Sequence, residues 1–134
     1  MRRFRPLLLA LTLVAAGCDR ERDAQKDREL AARALRGVLA YPQSTLVSLA
    51  AGSDAAELGF SSPAAVADVA QWYRRALAAN GWELKTDQVG PDGSISMYAE
   101  KAKRPLWLTM RPNTGGPGST YTMIGAIVEG DSIK

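Results

Sequence analysis

Four acidic residues have the type and spacing that acid–base catalysis requires. Asp87 lies five residues before Asp92, and Asp54 lies three residues before Glu57. A pair of carboxylates can divide the roles of general acid and general base in a hydrolase. Each pair also flanks a predicted turn, where acidic side chains usually face solvent or stabilise the turn. We therefore expect structural roles for them, and a small carboxylate-dependent hydrolase is the enzymatic alternative.

The composition removes most other catalytic and metal-binding arrangements. The 134 residues include no His and one Cys. Ser-His-Asp triads and Cys-His pairs need His, and the common zinc sites need His or several Cys. The Gly-rich segment 115–120 lacks the Lys of a phosphate-binding loop and precedes a predicted strand, which favours a hairpin connection. We expect no catalytic residue, no metal ion and no cofactor.

Three aromatic and basic side chains form the candidate contact site. In the predicted strand 106–111, Trp107 and Arg111 alternate with apolar residues and therefore lie on the face opposite the core. Tyr98, in the preceding predicted strand, lies on the same face. Trp, Tyr and Arg are enriched at binding hot spots. We predict a contact face containing Tyr98, Trp107 and Arg111, unless the amino-terminal helix covers this face and makes Trp107 a core residue.

The first half of the region after residue 40 predicts a hairpin followed by a helix. Short β-type runs over 45–50 and 56–60 form the hairpin. The helix extends to Asn80–Gly81, where Gly supplies a left-handed stop. Its amino end has capping serines and a Pro suited to the first helical position, namely Ser61 or Ser62 and Pro63.

The second half of this region has the period-two pattern of strands. Four strands follow one another through turns too short for crossover helices, which predicts an antiparallel meander. The last strand, 120–128, is apolar on both sides, as expected of a strand covered on both faces. We expect residues 41–134 to form a two-layer α+β domain, in which about four meander strands and the short amino-terminal hairpin pack on one main helix.

Residues 18–40 are predicted to form a charged stem that continues into an amphipathic helix over about 24–40. Between Asp19 and Arg36, 11 of 18 residues are charged. Apolar residues recur at helical spacing on one face, namely Leu30, Ala31, Ala34, Leu35, Val38 and Leu39. Tyr41–Pro42 ends this predicted helix, because a residue before Pro is pushed out of the α region.

The first 17 residues have the pattern of a bacterial signal peptide. Three Arg precede an apolar run over 7–16, and small residues follow it. These ten residues, all apolar except Thr12, cover about half of a ~30 Å hydrocarbon core at about 1.5 Å each, so we expect a cleaved signal. Removing these three Arg from the 17 basic residues leaves 14, equal to the 14 acidic residues. A neutral chain lacks the basic surface that nucleic acids require, so we expect no nucleic-acid partner.

The sequence Val14-Ala15-Ala16-Gly17-Cys18 resembles the lipobox of bacterial lipoproteins, although Ala15 stands where Leu is usual. The resemblance implies cleavage between Gly17 and Cys18 and attachment of fatty acids such as palmitate to Cys18. Several acyl chains, at ~0.8 kcal/mol per buried CH₂, make a stable membrane anchor. Asp19 resembles a signal for retention in the inner membrane in one bacterial group, and the outer membrane is the alternative location.

The order of elements after residue 40 is similar to that of small bacterial envelope lipoproteins of unassigned role. The similarity rests on Tyr41-Pro42, Ser62-Pro63, Trp72-Tyr73 and Gly81-Trp82. It implies a lipid-anchored, periplasm-facing module that binds an envelope protein or has a structural role, without catalysis. An inhibitor or immunity lipoprotein directed against a cell-wall enzyme is the alternative.

Cys18→Ser removes the only thiol that could carry the acyl chains. We expect this variant to lose fatty-acid labelling in cells and to move from the membrane fraction to the soluble fraction. Metabolic labelling with an alkyne fatty acid, followed by fractionation, measures both changes. Labelling that persists in the variant would show that Cys18 is not the attachment site.

Overall fold

A computed structural model describes residues 18–126, which form one six-stranded antiparallel sheet and two helices. The helices are α1 (Cys18–Ala34) and α2 (Val66–Ala79). The strands are β1 (Thr45–Ala51), β2 (Ala55–Ser62), β3 (Glu83–Val89), β4 (Ile95–Lys101), β5 (Arg104–Pro112) and β6 (Ser119–Ala126). The predicted α+β class with an antiparallel sheet is confirmed. The predicted signal peptide over 1–17 and the last two residues of the predicted final strand lie outside the described residues.

The amino-terminal hairpin is part of the main sheet, which corrects the predicted strand count. The strand order is β1-β2-β6-β5-β4-β3. Strand β2 pairs antiparallel with β6 along its whole length, from Ala55 opposite Ala126 to Ser62 opposite Ser119. This pairing satisfies backbone groups that a separate hairpin and a separate four-stranded meander would leave exposed at two edges. All six strands therefore form one sheet.

Helix α2 covers one face of the sheet, which we call the inner face. Its buried residues have the predicted helical spacing and are Val66, Val69, Ala70, Tyr73 and Leu77. The side chains that the sheet buries on this face include Met97, Leu106, Leu108, Met110 and Met123. Burial of these apolar side chains is the main favourable term that holds the helix on the sheet.

The carboxyl end of α2 follows the prediction. Trp82 donates its backbone N–H to the Leu77 carbonyl at 2.9 Å, and Gly81 donates to the Ala78 carbonyl at 3.2 Å. Gly81 has φ +80°, the left-handed conformation that this Schellman ending needs. Leu77 and Trp82 are both buried, which supplies the hydrophobic contact that accompanies the motif.

The amino end of α2 differs from the prediction. Helix α2 starts at Val66, and its N-cap residue Ala65 makes no side-chain capping hydrogen bond. Ser62 instead ends β2, and its hydroxyl accepts a hydrogen bond from the backbone N–H of Ala64 at 3.1 Å. The Ser-Pro pair therefore forms the turn between strand and helix, because Ser62 is already held in the sheet.

Helix α1 also packs on the inner face, through its last turn. Ala34 and Leu35 are buried there, and α1 contacts β1, β2 and β6. Gly125 of β6 lies beneath this turn, where a Cβ would come within 2.5 Å of the Ala34 carbonyl oxygen. Glycine is required because the obstructing atom belongs to the backbone. Arg104 donates to the carbonyls of Arg33 and Ala34, at 2.6 and 3.2 Å, where the helix dipole favours a cation.

The first helix begins and ends earlier than the predicted 24–40. The charged stem is helical from Cys18, and residues 19–26 are exposed. The helix stops at Ala34, and the chain then turns through Gly37, whose φ is +78°. Residues 35–44, which we call the connector, lie outside α1 and form hydrogen bonds with other parts of the fold. The predicted end of the helix at Tyr41–Pro42 was therefore too late.

Two buried tyrosines hold the connector between α1 and β1. Tyr73 of α2 donates its hydroxyl to the Leu39 carbonyl at 3.0 Å. The Tyr121 hydroxyl of β6 accepts from the Tyr41 N–H at 3.0 Å and donates to the Ser44 hydroxyl at 2.8 Å. Burial raises the pKa of Tyr73 far above its usual value, because a phenolate there would lose its hydration. Tyr73 is therefore a permanent donor to the connector.

Tyr73→Phe removes one of these hydrogen bonds and keeps the ring. We expect the free energy of unfolding to fall by about 1 kcal/mol at pH 7. The raised pKa of folded Tyr73 means that its neutral form contributes stability below the unfolded pKa of about 10, and this contribution is lost as the pH rises further. At pH 11, ionisation of the unfolded wild type favours unfolding by about 1.4 kcal/mol, so its advantage over the variant disappears.

Urea unfolding of both proteins at pH 7 and pH 11 measures this difference. Taking the difference between the two proteins cancels the titration of the other tyrosines and the lysines. An advantage of the wild type that is the same at both pH values would contradict the burial of Tyr73 as a neutral phenol.

Candidate functional site: the outer face of the sheet

The face of the sheet opposite the two helices, which we call the outer face, has no cover within residues 18–126. The pairing register places Trp107 directly opposite Tyr98 on one side and Ile124 on the other. The side chains of Leu106 and Leu108 face the core and are each 1% exposed, whereas Trp107 is 44% exposed. Because α1 packs on the inner face, it does not make Trp107 a core residue.

The partly buried Tyr98 and the exposed Trp107 form an aromatic pair on the outer face. Their ring centroids are 5.3 Å apart and their planes are inclined by 34°. Tyr98 donates its hydroxyl to a Glu100 carboxylate oxygen at 2.7 Å. This hydrogen bond raises the pKa of Tyr98, because it favours the neutral phenol. The pair therefore presents apolar ring surface with a fixed polar rim, which suits contact with another molecule.

Arg111 lies on the same face but at a distance from the aromatic pair. It follows Trp107 by four residues, which is about 13 Å along a strand, and it lies opposite Thr120 of β6. Arg111 lines a shallow depression together with three threonines, namely Thr109, Thr120 and Thr122. The structure thus brings Tyr98 and Trp107 together. Arg111, the third predicted contact residue, lies beyond a surface that carries threonine hydroxyls.

Residues from β6 and β2 complete the outer face and were missed by sequence reasoning. Ile124 lies opposite Trp107, and Glu57 of β2 lies opposite Ile124. The alternation of Thr120, Thr122 and Ile124 with buried residues was a signal for the β6 side chains. The apolar residues at the end of β6 made this alternation hard to recognise in the sequence. No local signal indicated β2, because its place beside β6 depends on pairing between distant segments.

Two of the four candidate carboxylates have structural partners. Asp87 forms a two-point ion pair with Arg74, with nitrogen–oxygen distances of 2.5 and 3.0 Å, which joins β3 to α2. Asp92 accepts hydrogen bonds from the N–H and the hydroxyl of Ser94, and these lower the pKa of Asp92. A carboxylate with a lowered pKa is charged at neutral pH and is poorly suited to act as a general acid.

The Gly-rich segment forms the connection between β5 and β6, as predicted. Asn113 donates its backbone N–H to the Gly118 carbonyl at 3.1 Å and accepts the Thr120 hydroxyl at 2.9 Å. Gly118 has φ +91°, and a Cβ there would collide with the Ser62 carbonyl oxygen. The glycine therefore serves the turn geometry.

The described part of the chain contains no cluster of three or more His, Cys, Asp or Glu that could hold a metal ion. Within the same residues, no helix combines the length and the apolar character needed to cross a membrane.

The family model described as START domain-like matches residues 43–118 of the chain. This range covers more than half of the 134 residues. The chain belongs to the START domain-like family. The match begins in the connector and extends through β5, so α1 and β6 of this START domain-like protein lie outside it. The observed α+β fold is compatible with the family. No curated protein and no solved structure matches the chain.

Trp107→Ala distinguishes a surface residue from a core residue. We expect the free energy of unfolding to fall by less than about 2 kcal/mol, because the side chain is 44% exposed and its loss removes the cross-strand pairs with Tyr98 and Ile124. The adjacent Leu108→Ala is the buried control and should cost about 2–5 kcal/mol. Urea unfolding measures both variants, and a cost of about 3–5 kcal/mol for Trp107→Ala would place this residue in the core.

Proposed function

We propose that this protein is a lipid-anchored, periplasm-facing component of the bacterial cell envelope that binds a protein partner through its outer face and catalyses no reaction. The observation that carries the proposal is the 44% exposure of Trp107 on a face that neither helix covers. Domains of the START-like type typically bind ligands, which supports a binding role.

The outer face is the favoured contact surface because the inner face is filled by the protein's own side chains. Tyr73, Tyr121 and Met110 are each at most 1% exposed between α2 and the sheet. Interiors of this kind are close-packed, so a ligand entering there would have to displace buried side chains. The outer face combines exposed aromatic rings with a polar surround, which is the composition typical of the centre and rim of protein interfaces.

The anchoring part of the proposal rests on the lipobox resemblance at Cys18 and on the form of α1. Residues 19–26 are exposed, and α1 contains five acidic and five basic residues, so this segment is a solvated, neutral helix. The 13 residue steps from Cys18 to the first buried side chain, Ala31, span about 20 Å at ~1.5 Å per step. The domain would then lie within about 20 Å of its acyl chains. Asp19 favours the inner membrane.

A role without catalysis agrees with the contacts of the acidic residues. Asp87 is engaged by Arg74, and Asp92 is held by Ser94 in a turn. Both carboxylates stabilise local structure, so neither is available as one member of a catalytic pair without loss of those contacts. In the alternative function, that of an inhibitor or immunity lipoprotein, the same outer face would bind a cell-wall enzyme. The identity of the partner therefore distinguishes this alternative from a structural role in the envelope.

Photocrosslinking in cells tests the proposal. A photoreactive amino acid replaces Trp107 on the outer face or, as the control, Gln71, which is exposed on α2. We expect a discrete adduct with another protein from position 107 and none from position 71. A cell-wall enzyme as the captured partner would favour the inhibitor or immunity role. Absence of an adduct at 107, or the same adducts at both positions, would contradict binding through the outer face.

A further inference from the structure

The outer face carries opposite charges at its two ends. Glu57 of β2 lies two strands away from Trp107 in the same row, and Glu100 of β4 accepts the Tyr98 hydroxyl. Arg111 lies at the other end. It is the only basic residue at an outward-facing position of the four central strands, β2, β6, β5 and β4, within residues 18–126. A negatively charged group is therefore repelled beside the aromatic pair and attracted at Arg111.

Arg111 and three threonines line an open depression of about 300 Å³. Thr109 lies directly opposite Thr122, and Arg111 lies opposite Thr120. The Thr120 hydroxyl donates to Asn113 at 2.9 Å, whereas the hydroxyls of Thr109 and Thr122 form no hydrogen bond within the described part of the chain. The guanidinium of Arg111 forms no ion pair with a carboxylate of the same residues. One cation and two hydroxyl donors are therefore available to a ligand.

The donors in this depression match a carboxylate. A guanidinium and hydroxyls donate hydrogen bonds, and the two oxygens of a carboxylate accept several of them. A phosphate dianion fits less well, because Asp92 already brings a negative charge close to Arg111. Hydrogen bonds from Ser94 are the main cause of the lowered pKa of Asp92, and the charge of Arg111 is a smaller cause. The depression therefore suits a group with a single negative charge.

The backbone around the depression favours an acidic side chain over a chain terminus as the source of this carboxylate. Sites that capture a C-terminal carboxylate use free backbone N–H groups. Thr109 and Thr122 lie on strands that are paired on both sides, and the N–H groups of paired strands point towards the neighbouring strands. Side chains are therefore the donors that this face offers.

We propose that Arg111, with the hydroxyls of Thr109 and Thr122, binds an Asp or Glu side chain of the protein partner. This inference rests on the proposed function and names the chemistry of the partner. The acidic side chain lies about 13 Å from the partner group that packs on Trp107, which is the length of four strand residues. The opposite orientation would set that carboxylate near Glu100, so the charges of the outer face fix how the partner docks.

Photocrosslinking in cells from a photoreactive residue at position 107 tests this inference when Arg111 is varied. Arg111→Gln removes the positive charge from the outer face. Arg75→Gln removes the same charge from the exposed surface of α2 and is the matched control. We expect the yield of the protein adduct to fall about fivefold or more in Arg111→Gln and to stay unchanged in Arg75→Gln. Circular dichroism of the purified chains checks that both variants are folded.

A photoreactive residue at Thr122 locates the contact on the partner. Mass spectrometry of this adduct should place the attachment site within about three residues of an Asp or Glu, since a residue of extended chain spans about 3.3 Å. Arg111→Glu should abolish the adduct from position 107. Lys in place of the partner's acidic residue should restore it, because the ion pair is then reversed.

The outcomes separate this inference from the proposed function. An adduct whose yield is the same with Arg111 and with Arg111→Gln, or a contact segment without Asp or Glu, would overturn the inference and leave binding through the outer face intact. No adduct from position 107 with Arg111 present would overturn both.

Discussion

The hydrogen bonds of Tyr73 and Tyr121 to the connector determine which face of the sheet stays open. A buried tyrosine hydroxyl needs a partner, and a connector outside helix and strand needs partners for its backbone groups. The carbonyl of Leu39 and the N–H of Tyr41 meet both needs at once. The chain leaving α1 is therefore fixed over the inner face, where α2 already lies.

The position of α1 follows from this constraint and from two contacts at its end. Gly125 gives the last helical turn room to lie on β6, and Arg104 binds the carbonyls that end the helix. Both contacts lie on the inner face. Trp107 and Tyr98 consequently remain at the surface, although each belongs to a strand that is paired on both sides. The free outer face is a consequence of how the inner face is closed.

Local patterns in the sequence predicted those features that depend on neighbouring residues. Alternation placed Trp107 opposite to Leu106 and Leu108, and Gly81 marked the end of α2. The predictions that failed concern features that depend on pairing between segments far apart in the chain. The union of β2 with β6 brings together residues such as Ala55 and Ala126, and Ser62 could not cap α2 because this pairing had already fixed it in a strand. The end of α1 depends in the same way on Tyr73 and Tyr121, whose partners lie far from them in the chain.

The central claim is that a partner covers the outer face in the cell envelope. Hydroxyl-radical footprinting of the three tryptophans, in intact cells and in the purified chain, tests it most directly. Trp82 is 4% exposed and serves as the internal reference, with slow oxidation in both samples. The account predicts that Trp107 is oxidised readily in the purified chain and severalfold more slowly in cells. Equal oxidation of Trp107 in the two samples would contradict it.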